Sequence, residues 1–495
     1  MSYENYVSHL RKLADVNFAN ALLQWDQEVF MPEKGAAGRA SQQATLSGIA
    51  HELATAPALD TILKGLLNDT SLTGLQRSNV ERTAKDFEKR NKFSTQFVEE
   101  MSIAISAGFQ AWQVAKKDNN YAIFEPKLQK LIDLKRREAD IAGYDKHPYD
   151  ALLDDYEPGT TSADVKELFD NFKPGLKVLL DKIFAAQKPD DSFFKQHFDK
   201  QAQWDFGIDL LKQMGYDFSA GRQDISAHPF TVSFGSGDVR VTTRVSENDL
   251  AEMIWSCIHE GGHALYEQGL PAADYGLPSG EAVSLAIHES QSRLWENNVG
   301  RSKGFWQHNY PTLQKTFNTQ LGNVPLEAFY KAFNRVEPSL IRTSADELTY
   351  HFHIIIRFEL ELDMIEGTLS AKDLPEAWNA KYKEYLGIDV PNYSQGVLQD
   401  VHWSHGSMGY FSTYSLGSLY AAQFYAQAVS EIPGLENSIA LGQTAPLLNW
   451  LREKIHNKGR NLTSRQVCEL VTGKPLDATY FMDYANKKYG DIYGF

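Results

Sequence analysis

Apolar residues recur at helical spacing, with charged faces between them, from Met1 to about Phe218, which predicts a nearly all-α first half built of successive amphipathic helices. Loops rich in turn-forming residues break the pattern, notably Asp154 to Ala163 (DDYEPGTTSA) and Lys188 to Ser192 (KPDDS). At His228 the period changes. HPFTVSF and DVRVTTRV alternate with period two around Gly235-Ser236-Gly237, which predicts a short hairpin, the one convincing β element. Ser246 and Asp249 then offer a capping-box-like start to a helix running through WSCIHEGGHALYEQ to about Gly269. After a loop over Pro271 to Gly280, a second helix is expected from about Glu281 to Asn298. A third is expected from about Ala345 to Glu366, opened by Ser344 and Glu347 as a capping box. From Gly406 onward the tail again reads as helical, and no internal repeat, low-complexity tract or linker interrupts the chain.

Length adds that one core cannot serve the whole. The 495 residues exceed the roughly 250–300 at which single cores stop growing, so the chain must form lobes or wrap around a cleft. The expectation is one mainly α domain over 1–495, with a helical N-terminal lobe over about 1–220 and a second lobe over about 221–495. Charge narrows the partners: 49 Lys plus Arg against 64 Asp plus Glu gives 49 − 64 = −15. That acidic balance, without a Lys/Arg-rich run, argues against nucleic acid. The first thirty residues lack the apolar stretch of a signal peptide and no window of about 20 apolar residues follows, so neither membrane nor export is expected. Two cysteines, Cys257 and Cys468, are too few for a disulfide framework, and the sequons at Asn68, Asn392 and Asn461 mean little without a secretory signal. A cytoplasmic protein is expected.

The informative chemistry is His259-Glu260-Gly261-Gly262-His263. On a helix, residues four apart sit one above the other, so both imidazoles can address one ion while Glu260, on the same face, serves as base for a water attacking a carbonyl. Zinc is the expected ion, although cobalt or manganese suits the same donors. Gly261 and Gly262 each cost about 1 kcal/mol relative to Ala in a helix, which suggests a place where bulk is kept from a ligand. A catalytic site needs a third protein ligand, and on spacing alone Glu281, Glu289 and Glu296 of the next helix compete for it. His351 and His353, two apart on a helix, cannot chelate one ion together, and Cys257 falls off the metal face as a core residue.

HEGGH followed by His288-Glu289-Ser290-Gln291 resembles the M32 metallocarboxypeptidases, the carboxypeptidase Taq family. Further motifs of that family occur in order: His228-Pro229-Phe230, the DxRxT of Asp238, Arg240 and Thr242, the IRxxAD of Ile341, Arg342, Ala345 and Asp346, and the GxxQDxHW of Gly396, Gln399, Asp400, His402 and Trp403. Trp25-Asp26-Gln27-Glu28 is also similar. The resemblance implies a two-lobed helical fold around a deep active-site groove, with the small hairpin beside the metal helix. It also implies a homodimer, and sequential release of single amino acids, with broad specificity, from peptides with a free C-terminus. It selects Glu289 as the third metal ligand.

An enzyme of that kind must grip a free carboxylate, which a guanidinium fork does best. Arg342, just before a predicted helix start, is the first candidate, with a salt bridge to Asp346 or Glu347 as its plainer role. Arg240 is the alternative, although it alternates with Asp238 on one face of the hairpin, where a local ion pair is expected. The edge of that hairpin could pair with an extended substrate backbone. His228 and His402 are candidates to donate to the substrate carbonyl or to the oxyanion of the tetrahedral intermediate. Tyr410 and Tyr414, four apart, share a face if their run is helical, and either phenol could serve the oxyanion. Two rival readings remain at this level: an endo-acting zinc oligopeptidase, and a non-catalytic helical binding protein.

Overall fold

Helix dominates the computed structural model, which describes residues 2–495. The chain is shared between two compact units. One takes the chain up to Arg90, Pro189–Phe333 and Tyr420–Leu476; the other takes Asn91–Lys188, Asn334–Leu419 and Asp477–Phe495. Each is therefore assembled from three separate stretches, and both sides of residue 220 belong to the first. Among the described residues no helix is long and apolar enough to cross a membrane.

The first unit is organised by the helix Leu250–Gln268, buried along most of its circumference through Met253, Ile254, Cys257, Ile258, Ala264 and Leu265. Burying an Ile or Leu contributes about 1.5–3 kcal/mol, so this helix is fixed by packing on several sides. Its start differs from the capping box expected at Ser246. Asp249 is itself the N-cap and accepts from the amides of Ala251 (3.1 Å) and Glu252 (3.4 Å). The hairpin forms as expected, with β2 (Thr231–Ser233) antiparallel to β3 (Val239–Thr243), Thr231 opposite Val241. Gly235 takes φ +108° at the turn, a region open to glycine. A strand unannounced by the sequence, β1 (Gln223–Ile225), pairs parallel on the other side of β3, so the sheet runs β1-β3-β2 and β2 is an edge. β1 is short and mostly polar, so it carries no alternation to find.

The helix expected from about Glu281 to Asn298 is shorter and changes form. It begins after Ser284, whose side chain caps the Ile287 amide (3.1 Å), runs as α-helix over Leu285–Arg293 and continues as a π-helix over Leu294–Gly300. The two glycines of HEGGH serve contacts between helices. A Cβ on Gly261 would lie 2.7 Å from Leu211 Cδ2, a side-chain tip of the helix Lys200–Met214, and one on Gly262 would lie 2.6 Å from Ser292 Cα and 2.9 Å from Gln291 O. They keep bulk from neighbouring elements, which corrects the expectation of clearance for a ligand.

In the second unit the helix Thr349–Glu366 is buried almost throughout. Ser344 and Glu347 do not form the expected capping box. Asp346 Oδ1 accepts from the amides of Leu348 (2.9 Å) and Thr349 (3.0 Å), while Glu347 is drawn away to Lys488 Nζ (2.7 Å) and the Tyr489 hydroxyl (2.8 Å). His351 and His353 do face different partners, Ser415 Oγ (3.0 Å) and the Tyr382 hydroxyl (2.9 Å).

Candidate metal centre and active site

His259, His263 and Glu289 offer ligand atoms that all lie within 4.8 Å of one another. Glu289 Oε2 lies 3.4 Å from His263 Nε2 and 3.9 Å from His259 Nε2. Tetrahedral bonds of about 2.0–2.1 Å place ligand atoms roughly 3.3 Å apart, so the spacing fits a four-coordinate divalent ion after small adjustment. Of the three competing glutamates, Glu289 is the one that lies with the two histidines. Glu281 pairs with Arg460 (2.7 Å), and Glu296 sits behind His259, its Oε2 2.9 Å from Nδ1.

His259, His263 and Glu289 are each held from behind. Glu296 accepts the Nδ1 proton of His259, which leaves the Nε2 lone pair for the ion. His263 Nδ1 meets His288 Nδ1 at 2.6 Å, and His288 Nε2 meets Glu267 Oε1 at 2.8 Å. With Glu267 accepting from His288 Nε2, the His288 Nδ1 lone pair accepts from His263 Nδ1, and His263 again turns a lone pair on Nε2 toward the site. Arg293 Nε binds the other oxygen of Glu289 (2.7 Å) and reaches Glu296 through Nη1 (3.1 Å), while Arg301 also holds Glu296 (2.9 Å). Burial pushes Glu289 and Glu296 up, but the arginines and histidines outweigh it and hold both well below the usual carboxylate range. Burial and neighbouring His288 push His263 down to about 3, so it is neutral and able to ligate.

Glu260 is one residue along the same helix. Thr231 Oγ1, on the edge strand, donates to its Oε2 (2.7 Å), and burial pushes its carboxyl up. Seven residues are about two turns of helix, so Glu289 and Glu296 share one side of their helix, and Gly262 lets that helix come close. Substituting Ala for Gly262 should force the backbone at Ser292 away and take Glu289 with it, costing about 1–3 kcal/mol and weakening metal binding. Gly261→Ala, which meets movable side-chain tips, should cost less; thermal melts and metal titrations of the two variants check that order.

The remaining candidates divide between the units. In the first, His228 is exposed, and its carbonyl accepts from Ser226 Oγ (2.6 Å). Arg240 forms a fork with Asp238 (2.8 Å to each oxygen), as expected, and stacks 4.3 Å over the ring of Trp25. Thr242 ties the motifs together, accepting from the Phe230 amide (2.9 Å) and bonding Ser226 (2.7 Å). Cys257 nests against Gly207, and burial pushes its thiol up to about 11. In the second unit Arg342 bonds neither Asp346 nor Glu347. Its Nε and Nη2 reach Asp400 Oδ1 (3.0 and 2.9 Å), and Arg357 Nε takes Oδ2 (2.7 Å). Gln399 Oε1 accepts from the Arg342 amide (2.9 Å), so the IRxxAD and GxxQDxHW segments interlock. Arg342 opens a 3₁₀ turn, and the helix beyond begins only at Thr349, so the expected helix-start field at its side chain is absent. His402 Nε2 lies 3.3 Å from the Tyr414 hydroxyl, and burial with Arg342 pushes the ring down to about 3. Tyr414 is on the helix Ser412–Glu431 but Tyr410 precedes it, so their rings meet edge-on at 5.2 Å and do not share a helix face.

A helix carrying HExxH, with a glutamate of the following helix beside its two histidines, is the arrangement of a metallopeptidase of the HExxH type. A family model described as Carboxypeptidase Taq (M32) metallopeptidase matches residues 5–489, and the chain belongs to this family. It is 41% identical over 512 residues to thermostable carboxypeptidase 1 of Thermus thermophilus, covering 100% of this chain and 99% of that one. Carboxypeptidase 1 of Bacillus subtilis is 37% identical, with 98% and 97% covered. Among solved structures, the M32 carboxypeptidase from Deinococcus radiodurans R1 superposes with a TM-score of 0.98 at 40% identity, covering 100% of this chain and 99% of that one. The protein is a metal-dependent carboxypeptidase, and the endo-acting and non-catalytic readings give way to that. Sequence reasoning left His288, Glu267 and Thr231 without roles. His288 stood in the HESQ motif, whereas nothing in the sequence marked Thr231 as a partner of Glu260.

Proposed function

We propose that the enzyme releases single amino acids in sequence, with broad specificity, from the free C-terminus of peptides, using zinc held by His259, His263 and Glu289. The observation that carries this is the convergence of two imidazoles, each hydrogen-bonded from behind through Nδ1, and one ionised carboxylate beside Glu260. Cobalt or manganese fits the same donors. A divalent ion at that place supplies polarisation of the scissile carbonyl and acidifies a water. Glu260 takes the proton of the attacking water and passes it to the leaving amine; its Oε2 is fixed by Thr231, which leaves Oε1 for the proton. The neutral His402 and the phenols of Tyr410 and Tyr414 are assigned to the developing oxyanion, and His228 and the β2 edge to the substrate backbone.

Arg342 is assigned the C-terminal carboxylate. Arg342 and Arg357 share the single negative charge of Asp400, which leaves one positive charge for an anion, whereas Arg240 is neutralised by Asp238. Arg357 stays on Asp400 when Arg342 is removed, so Arg342→Ala does not orphan a buried carboxylate. Losing a charged hydrogen-bonding partner should cost about 2–4 kcal/mol. That is roughly a 30- to 1,000-fold fall in kcat/KM for free-acid peptides. Kinetics of Arg342→Ala beside Arg240→Ala test the assignment; the same loss in Arg240→Ala alone reverses it. A homodimer and a cytoplasmic location are part of the proposal, and light scattering of the purified enzyme checks the first.

A further inference from the structure

The helix Thr349–Glu366 carries buried polar side chains at four-residue intervals, among them His353, Arg357 and Glu361, which stack on one face. Arg357 holds Asp400, and His353 meets Tyr382. Glu361 belongs to neither the metal centre nor the charge cluster at Asp400, yet it is 0% exposed. Its Oε1 accepts from Trp403 Nε1 (2.7 Å), and its Oε2 accepts from the Tyr149 hydroxyl (2.7 Å) and the Gly409 amide (3.0 Å). Trp403 directly follows His402, and Gly409 directly precedes Tyr410. Gly409 is itself wedged: its φ is +94°, and a Cβ there would lie 2.8 Å from the carbonyl carbon and oxygen of Leu152. Burial pushes the Glu361 carboxyl up and the three donors pull it back, leaving it at about 7, and these bonds keep the group in the interior.

We propose that Glu361 is a positioning residue for peptide hydrolysis, one that holds Trp403 and Gly409 on its two oxygens and thereby sets the placement of His402 and Tyr410. The inference rests on the assignment of those two side chains to the oxyanion. A carboxylate suits this task where an amide does not. The indole N–H and the Gly409 amide can only donate, and they bind opposite oxygens, so Gln at this place turns its own NH2 toward one of them in either orientation. One end of the segment is then released.

The test uses the full-length, metal-loaded enzyme. Glu361→Gln should lower kcat about 10-fold or more with KM nearly unchanged and metal stoichiometry intact. Glu359→Gln is the control. It lies on the same helix and accepts from Lys173 (2.8 Å), Lys381 (2.7 Å) and Tyr385 (2.9 Å), so it loses comparable bonds without touching the 402–410 segment, and kcat should hold. If Glu361→Gln does not fold, Trp403→Phe removes one of the three bonds and should give a smaller fall in kcat, again at constant KM. His402→Ala and Tyr410→Phe separate the two ways to be wrong. If they lower kcat and Glu361→Gln leaves it within twofold, the role of Glu361 is overturned alone. If neither lowers kcat, the oxyanion assignment fails and this role falls with it. A fall of kcat in Glu359→Gln equal to that in Glu361→Gln also overturns the proposal, since it marks a general loss of structure.

Discussion

Glu260→Gln is expected to cut kcat by about 10²–10⁴-fold while the divalent ion remains bound at one per chain. The substitution keeps the shape, and a Gln oxygen can still accept from Thr231 Oγ1, which now binds Glu260 at 2.7 Å. What it removes is the basic lone pair that takes the proton of the attacking water. Neither His259 nor His263 loses a partner, because their second nitrogens rest on Glu296 and His288. Rates of amino-acid release paired with elemental analysis check this; a variant that turned over normally with metal bound would remove Glu260 as the base.

The second large effect is at the ligand set. Glu289→Ala removes the one carboxylate among the three donors, and its metal affinity should fall by more than the roughly 10–100-fold typical of losing an outer partner. Activity should vanish at metal concentrations that saturate the parent enzyme. The fold should survive, because Arg293 keeps Glu296 as a partner at 3.1 Å and is not left as an unpaired buried charge. Glu296→Gln, by contrast, touches the ion only through His259 and should lose affinity about 10–100-fold. Competition with a chromogenic chelator orders the three proteins. Equal affinities for Glu289→Ala and the parent would remove Glu289 from the ligand set.

Much of this site was legible because a helix repeats every 3.6 residues and strands every two. Those periods placed His259, Glu260 and His263 on one face and found the β2–β3 hairpin. Position along the chain said less about what approaches from elsewhere. The glycines of HEGGH read as space for a ligand, and only the structure shows that Gly262 admits the backbone of Ser292 and Gln291 and Gly261 the side-chain tips of Leu211 and Met214. Glu289 and Glu296 lie about two helical turns apart, so spacing alone could not choose between them, and the change to π geometry after Arg293 has no signature in apolar spacing. The sequence offers Arg342 first as the carboxylate anchor, with an ion pair to Asp346 or Glu347 as its plainer role, and the partner it takes is Asp400, 58 residues on. Long-range ion pairs of this kind depend on chain path, and sequence separation does not reveal them.

The measurement that bears most directly on the whole account is a mass-spectrometric time course on one unstructured peptide, as free acid and as C-terminal amide, before and after chelation and zinc addition. The account predicts a ladder of single-residue losses from the free acid alone, stopped by the chelator and restored by the metal. Internal fragments from both forms, or cleavage indifferent to chelation, would contradict it.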